Sequence, residues 1–496
     1  MMSINPILPG FYPDPSICRV KDTYYLATSS FEYFPGVPIF RSSDLLEWEQ
    51  CGNALDRPEQ LRVTRGPEAG STGIYAPTLR HHDGVFWLVT TNMADYAKGH
   101  IIVRTTDPAK GWSDPVHTLG TVGIDPDLTW DEAGNCYLSW AQGASGIQQA
   151  AVDPLTGRLL SEPRLLWGGT GMAHPEAPHL YRRGGWWYLV IAEGGTERGH
   201  CVSVARSRSV TGPFEPHPAN PVLSHRSTGH AVQNTGHADL VELPDGRWAM
   251  THLGVRPRGS TPQFHVNGRE TFLAGVEWAD DWPVVIEDAF EVPPQPTTFS
   301  DDFVAPGLHP RWVSPGIAPS TFVRHDDTAG IVLTGGRTPE SREAVHLLAV
   351  RTRDAEWQAE ATVPKGDVAL VVRIDDGHWV AVERTGNTVT ARAVIGPCDQ
   401  KLASATVRDS EVPLAIRASD TSDRLSLHNG PDRLELGFQE DGRFHSLTHV
   451  DGRYVSTEVA GGFTGRVVGV EALGADALLT RFSYTAPLPS DPQPGT

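Results

Sequence analysis

Short runs of aromatic and apolar residues recur along the first part of the chain. Four of the five directly follow a turn-forming pair such as Asp83-Gly84 or Gly184-Gly185, so each predicts the second arm of a β-hairpin. The runs occupy 23–26, 85–88, 136–138, 187–189 and 247–250. They lie 50 to 62 residues apart, the length of a four-stranded blade with uneven loops. The pattern therefore predicts a five-bladed β-propeller.

A second repeated feature lies 11 or 12 residues upstream of each run, at the start of the first strand of the repeat. The residues at this position are Asp14, Ala76, Asp125, Glu176 and His237. In a propeller, equivalent positions at the start of each innermost strand surround the central axis. We therefore expect the three acids and the histidine to converge, although they span more than 220 residues of sequence.

The repeats end before a proline-rich stretch at 292–298, where neither a helix nor a central strand can continue. We place the propeller at 1–291 and a second all-β domain at 299–486. Alternating and apolar runs such as 368–372, separated by glycine-containing turns, are typical of a β-sandwich or jelly roll. Four prolines in 487–496 predict a disordered tail. The predicted fold class is all-β throughout.

The charge balance narrows the range of partners. The 496 residues include 60 acidic and 41 basic ones, a net charge of −19, which argues against binding to nucleic acid or to an anionic membrane. No apolar run of 18 residues and no signal segment is found, so we expect a cytoplasmic protein. The five scattered cysteines lack metal-type spacing. No glycine-rich phosphate loop is found, so no nucleotide or redox cofactor is implied.

Three carboxyl groups around one axis suit acid–base chemistry. Any one of Asp14, Asp125 or Glu176 alone would be read as a turn or surface residue. Their shared position in the repeat favours a functional role. Like charges placed together raise one another's pKa and cost stability, so such a cluster is expected only where the protein uses it. Glycoside hydrolysis is the reaction for which a pair of carboxyl groups suffices, one as general acid and one as general base.

Several longer motifs carry a family resemblance. They are residues 5–17 with Tyr12-Pro13-Asp14-Pro15-Ser16, residues 28–38, Gly73-Ile74-Tyr75-Ala76-Pro77, residues 191–196 and Gly268-Arg269-Glu270-Thr271. In this order they resemble the β-xylosidases and α-L-arabinofuranosidases of glycoside hydrolase family 43. The resemblance extends to the C-terminal part, which is similar to that group's concanavalin-like β-sandwich. It implies a five-bladed propeller and an inverting mechanism.

The resemblance also implies roles for the three acids. Asp14 would be the general base that activates water, and Glu176 the general acid that protonates the leaving oxygen. Asp125 would raise the pKa of the acid and orient it.

Four further residues are candidates for contact with substrate. Arg269 would bind sugar hydroxyls or balance the charge of the acids, or form a surface ion pair. Phe31 would stack on the sugar or pack in the core. His237 would orient Asp14 or a water, approach a central calcium ion as in some relatives, or simply be hydrogen-bonded in the hub. Tyr75 stands where xylosidase-type members often carry Trp, and this favours arabinose.

The sequence therefore predicts an exo-acting, inverting hydrolase that releases terminal α-L-arabinofuranose, β-D-xylose or both from short plant-derived oligosaccharides. The alternatives are a β-D-xylosidase as the main activity, an endo-arabinanase, and a non-catalytic sugar-binding propeller. No cofactor is required, a calcium ion near the axis is left open, and so is a homo-oligomer.

Overall fold

The computed structural model describes residues 4–63, 70–326, 330–337, 346–421 and 427–487. The predicted disordered tail lies outside the described residues except for Pro487. The prediction of an all-β chain is confirmed, since 38 strands alternate with very little helix in the described part. One short α-helix, α1 (Thr457–Ala460), is present, and the 3-10 turns are Met93–Lys98, Gly143–Ser145, Pro319–Thr321 and Gly452–Val455. No helix in these ranges is both long and apolar enough to cross a bilayer.

The first part of the chain forms five successive antiparallel sheets, together with one short strand, β3, that pairs elsewhere. In chain order the strands are β1 (Ser16–Val20), β2 (Thr23–Ala27), β3 (Tyr33–Phe34), β4 (Gly36–Ser42), β5 (Glu49–Leu55); β6 (Thr78–His82), β7 (Val85–Thr90), β8 (Ile101–Thr105), β9 (Val116–His117); β10 (Ile124–Trp130), β11 (Cys136–Ala141), β12 (Ile147–Asp153), β13 (Arg158–Leu159), β14 (Arg164–Trp167); β15 (Glu176–Arg183), β16 (Trp186–Glu193), β17 (Cys201–Ser207), β18 (Glu215–Pro216); β19 (Gln233–Glu242), β20 (Trp248–Val255), β21 (Glu270–Ala279) and β22 (Trp282–Ile286). All five predicted hairpin arms lie in second strands of these sheets, namely β2, β7, β11, β16 and β20.

The five sheets form a closed ring. The first strands contact one another in the order β1, β6, β10, β15 and β19, and β19 returns to contact β1. Turn chemistry sets up each hairpin; Asp83 and Gly84, for example, have φ angles of 50° and 76°, which suit a tight two-residue turn. The innermost strands, and the residues at which they begin, therefore face a common axis.

The second part of the chain is a sandwich of two six-stranded antiparallel sheets with smaller pairings beside them. Its strands are β23 (Phe299–Asp301), β24 (Ser314–Pro315), β25 (Val323–His325), β26 (Ile331–Leu333), β27 (Leu348–Arg351), β28 (Trp357–Thr362), β29 (Val368–Asp375), β30 (His378–Thr385), β31 (Thr388–Ile395), β32 (Cys398–Thr406), β33 (Leu414–Ser419), β34 (Arg433–Glu440), β35 (Arg443–Asp451), β36 (Val467–Ala472), β37 (Ala477–Leu479) and β38 (Arg481–Thr485). Large apolar side chains such as Trp312, Phe322 and Phe482 fill its core. Because β22 ends before the proline-rich stretch 292–298 and β23 begins after it, that stretch links the two parts; the exact domain boundaries stay predictions.

The two parts pack tightly against each other. Phe11 and Tyr33 of the propeller share one apolar cluster with Val313, Leu347 and other residues of the sandwich. Strand β24 also pairs with β3, so the interface includes a small two-stranded sheet. The sandwich is therefore fixed against the first sheet of the ring, where residues 28–38 run.

Candidate active site

A backbone irregularity marks the start of the innermost strands. Asp14, Asp125, Ala177 and His237 all have φ between 49° and 57°, a left-handed conformation that is uncommon for residues other than glycine. The register of strand pairing shifts at this point in β10, β15 and β19. Such bulges bend a strand and redirect its side chains, and they are frequent beside active sites. Here they fix the residues at the mouth of the ring.

The structure corrects one detail of the repeat. Regular pairing resumes at Asp127 in β10 and at His179 in β15, so the residues two positions earlier, Asp125 and Ala177, are equivalent. Glu176 precedes that position by one residue and is equivalent to Ile124, which pairs across its hairpin in the same way. The prediction that Glu176 and Asp125 share one position was wrong. Both nevertheless face the same cavity, because adjacent positions at the bulge line the mouth of the ring.

A cavity of about 60 Å³ lies at the centre of the five inner strands. It is lined by Asp14, Phe31, Tyr75, Ala76, Ile124, Asp125, Glu176, Thr196, His237, Arg269 and Phe463. All seven residues singled out from the sequence are among them. Thr196 and Phe463 were missed, although Thr196 lies in a quoted motif, 191–196, and Phe463 is flanked by glycines.

Asp14 is held as a carboxylate. It is 4% exposed, and its oxygens accept hydrogen bonds from Arg269 Nη1 at 2.8 Å and from Ser29 Oγ at 2.5 Å. Burial alone would raise the pKa of Asp14, but the positive charge of Arg269 and the bond from Ser29 outweigh it and lower the pKa. Asp14 is therefore ionised throughout the neutral range.

Glu176 has the opposite electrostatics. Burial, followed by repulsion from the Asp14 carboxylate, raises the pKa of Glu176 to about 7. A carboxyl group with such a pKa carries a proton over much of the range in which Asp14 is charged. One cavity thus holds a base and an acid.

Asp125 lines the same cavity as these two groups. Burial, and then repulsion from Glu176 and Asp14, raises its pKa well above the ordinary value. The backbone N–H of Ala177 donates to Asp125 Oδ2 at 3.2 Å, which ties the Asp125 side chain to the residue next to Glu176. Asp125 and Glu176 therefore titrate as an interacting pair.

Two buried histidines flank the acids as neutral rings. His237 Nδ1 is 3.5 Å from Asp14 Oδ1, and burial lowers the pKa of His237 to about 3. His200 Nε2 is 3.9 Å from Glu176 Oε1, and burial lowers the pKa of His200 to about 4. His237 thus lies beside Asp14, and its role there stays a prediction, whereas His200 was not singled out from the sequence.

Arg269 lies inside the cavity wall and not on the surface. Besides Asp14, it donates to Thr196 Oγ1 at 3.1 Å, and its guanidinium lies 5.6 Å from the ring centre of Phe31. The surface ion pair considered for Arg269 is therefore wrong. Its charge balances that of Asp14 at the cavity wall.

A guanidinium group occupies the layer beneath the cavity. Arg80 of β6 contacts Asp127 Oδ1 at 3.1 Å and Asp239 Oδ2 at 2.7 Å, and lies 2.9 Å from His179 Nδ1. It thereby joins the first strands of four sheets and neutralises the buried acids among them. In the described ranges no group of three or more His, Cys, Asp or Glu side chains is arranged to hold a metal ion.

Comparison with known proteins agrees with this geometry. The family profile of glycosyl hydrolases family 43 matches residues 3–283, and that of a beta xylosidase C-terminal concanavalin A-like domain matches 300–483. A non-reducing end alpha-L-arabinofuranosidase of Bacteroides ovatus is 36% identical over 507 residues, covering 95% of this chain and 91% of the relative. A xylosidase/arabinosidase of Butyrivibrio fibrisolvens is 45% identical over 299 residues, covering 57% of this chain and 56% of the relative.

A solved structure gives the same result over both parts of the chain. It is described as the GH43B protein of a Bacteroides ovatus xyloglucan PUL, has a TM-score of 0.87 and 33% identity, and covers 98% of this chain and 100% of its own. The match runs through the propeller and the sandwich together. The predicted family is confirmed, and the chain belongs to glycosyl hydrolase family 43.

Proposed function

We propose that this protein is an exo-acting, inverting glycosidase that releases a terminal pentose from short plant-derived oligosaccharides, with α-L-arabinofuranose preferred and β-D-xylose as the near alternative. One observation carries the proposal. Asp14 has a lowered pKa and Glu176 a pKa of about 7 within the same cavity, which is the division that glycoside hydrolysis needs. A non-catalytic sugar-binding propeller would have no need for two carboxyl groups with such different pKa values in one cavity.

In this mechanism the Asp14 carboxylate accepts a proton from a water that attacks the anomeric carbon. Arg269 and Ser29 hold the carboxylate in one orientation through their hydrogen bonds. Glu176 gives its proton to the leaving glycosidic oxygen as the bond breaks. Inversion follows because water attacks from the face opposite to the leaving group.

The exo mode is supported by the small size of the cavity and by the aromatic rings in its wall. Its volume is about 60 Å³, and Phe31 and Phe463 stack on each other with ring centres 5.9 Å apart. Aromatic faces suit the C–H groups of one sugar ring. An endo-arabinanase needs an open groove along several sugars, and this arrangement favours a single terminal unit.

Arabinose preference is supported by the relatives and by one residue at the cavity, Tyr75. The relative matched over almost the full chain is named an arabinofuranosidase, and the other a xylosidase/arabinosidase. Tyr75 lines the cavity where a larger Trp is expected for a xylosidase-type member. Cytoplasmic location and oligomeric state stay predictions.

The test is turnover of 4-nitrophenyl α-L-arabinofuranoside and β-D-xyloside in parallel, with NMR of the first-formed sugar. We expect faster turnover of the arabinofuranoside and release of the β-anomer. Faster turnover of the xyloside would reverse the preference. Release of the α-anomer from the arabinofuranoside, or of the β-anomer from the xyloside, would exclude inversion, and no turnover of either substrate would exclude the proposed function.

Replacement of Asp125 is expected to change the pH dependence. Because Asp125 and Glu176 titrate as an interacting pair, Asp125→Asn removes a charge that opposes ionisation of Glu176 and should lower the pKa of Glu176. The acid form is lost above its pKa, so the alkaline limb of kcat/KM should move to lower pH. The acid limb, which reports Asp14, should move little. An unchanged alkaline limb would remove Asp125 from the control of Glu176.

A further inference from the structure

Phe463 brings the second part of the chain into the sugar site. It lies in the loop between α1 and β36, and its ring stacks on Phe31 and meets Tyr75 edge-on, with centres 5.9 Å apart in both pairs. The Arg269 guanidinium lies 5.5 Å from the Phe463 ring centre. One wall of the cavity thus depends on where this loop is held.

The loop is fixed to the propeller at its far end. The backbone N–H of Arg466 donates to the carbonyl of Val266 at 3.0 Å. A Cβ atom on Gly465 would collide with the backbone of Asn267, so the two chains touch backbone to backbone just before Arg269. This contact fixes the end of the loop near Arg466, so the end that carries Phe463 needs a support of its own.

Ser71 provides that support. Its Oγ accepts a hydrogen bond from the backbone N–H of Phe463 at 2.7 Å. A Cβ atom on the preceding Gly462 would collide with the same hydroxyl, so the loop lies directly against Ser71. The hydroxyl acts on the backbone of Phe463 and leaves the ring free to face the sugar.

Ser71 is itself held in an unfavourable conformation. It is buried, and its φ of 59° lies in the left-handed region that disfavours residues with a Cβ atom. Its backbone N–H donates to Glu32 Oε2 at 3.0 Å, and Glu32 Oε1 is 3.5 Å from Arg373 Nη1 of the sandwich. Both parts of the chain therefore contribute to the placement of one serine hydroxyl.

We propose that Ser71 is a positioning residue that holds Phe463 against the terminal sugar and thereby sets the affinity for it. The inference rests on the proposed function and adds a determinant of substrate binding. Ser71 is not among the residues that line the cavity with Asp14, Asp125 and Glu176. It therefore acts on substrate binding and not on proton transfer.

The first test compares two variants that lack the hydroxyl. Ser71→Ala keeps the strained backbone, whereas Ser71→Gly relieves it because glycine tolerates positive φ. Both should raise KM for the pentoside by about three- to tenfold and leave kcat within about twofold. This is the effect expected when the backbone N–H of the partly exposed Phe463 loses its hydrogen-bond acceptor. Thermal stability should differ, with the glycine variant melting at the higher temperature.

The second test is a double-mutant cycle with Phe463→Ala. If Ser71 acts through Phe463, adding Ser71→Ala to Phe463→Ala should raise KM no further. Ser42→Ala is the matched control, since Ser42 is also buried and its Oγ accepts from a backbone N–H, that of Leu45 at 2.9 Å. It should leave KM unchanged.

Three outcomes would overturn the inference: an unchanged KM in both Ser71 variants, an increase in only one of them, or fully additive effects in the cycle. Turnover by the wild-type enzyme tests the proposed function separately. If the wild type hydrolysed neither pentoside, the same variants compared by calorimetric binding of free L-arabinose and D-xylose would still test the role of Ser71.

Discussion

Asp14→Ala is expected to reduce kcat by about a hundredfold or more on every pentoside, whatever its leaving group. Attack by water is needed for all substrates, and Asp14 is the group whose lowered pKa keeps it ionised at neutral pH. The measurement is kcat and KM for the 4-nitrophenyl pentoside and for an oligosaccharide. The loss should be of similar size on both, because water must attack the anomeric carbon whichever group leaves.

Removing the carboxylate also leaves the buried Arg269 without its partner, which costs stability. Asp14→Asn avoids the change in volume and keeps an oxygen for Ser29, so it separates lost chemistry from lost packing. Asp131→Ala is a matched control, because Asp131 is also a turn aspartate but caps an exposed loop away from the cavity. If folded Asp14→Asn enzyme turned over substrate at near-normal rates, Asp14 would not be the base.

Much of the hub could be read from the sequence. Each blade encodes its hairpin locally, in a turn pair and the aromatic run after it, so a spacing of 50 to 62 residues was enough to predict the convergence of Asp14, Asp125, Glu176 and His237. Local signals of this kind do not depend on the rest of the fold. They failed by one residue at Glu176, because the hairpin from Asp127 to its partner Ser139 is one residue longer than the hairpin from His179 to its partner Val190, so equal distances from the aromatic run do not mark equivalent positions.

The parts that could not be predicted depend on contacts between distant segments. Phe463 reaches the cavity only because the sandwich docks on the first sheet, through the cluster of Phe11, Tyr33 and Val313. Nothing in the composition of residues 461–465 says which surface the loop will cover. The position of His200 could not be predicted for the same reason. Its ring lies over Gly236 of another sheet, where any Cβ atom would collide with it.

Glu176→Ala is expected to separate substrates by their leaving groups. An oligosaccharide leaves as an alcohol and needs the proton of Glu176, so its kcat/KM should fall by about a hundredfold or more. A 4-nitrophenyl group leaves as a stabilised anion and needs little protonation, so its turnover should fall far less. The alkaline limb near pH 7 should also disappear with the nitrophenyl substrate, because the group responsible for it, with a pKa of about 7, is gone.

Glu176→Gln is the control for shape, because it keeps the volume of the side chain but has no proton to give. It should reproduce the selectivity of the alanine variant if proton donation is what is lost. His252→Leu tests for a general effect of altering buried polar groups; His252 is buried like His200, lies 3.0 Å from a backbone carbonyl through Nδ1 and does not line the cavity. The His252→Leu substitution should lower kcat/KM equally for both substrates or leave it unchanged for both. An equal loss on both leaving groups in folded Glu176→Gln enzyme would contradict the assignment of Glu176 as the acid, since a structural role does not distinguish an alcohol from a phenol.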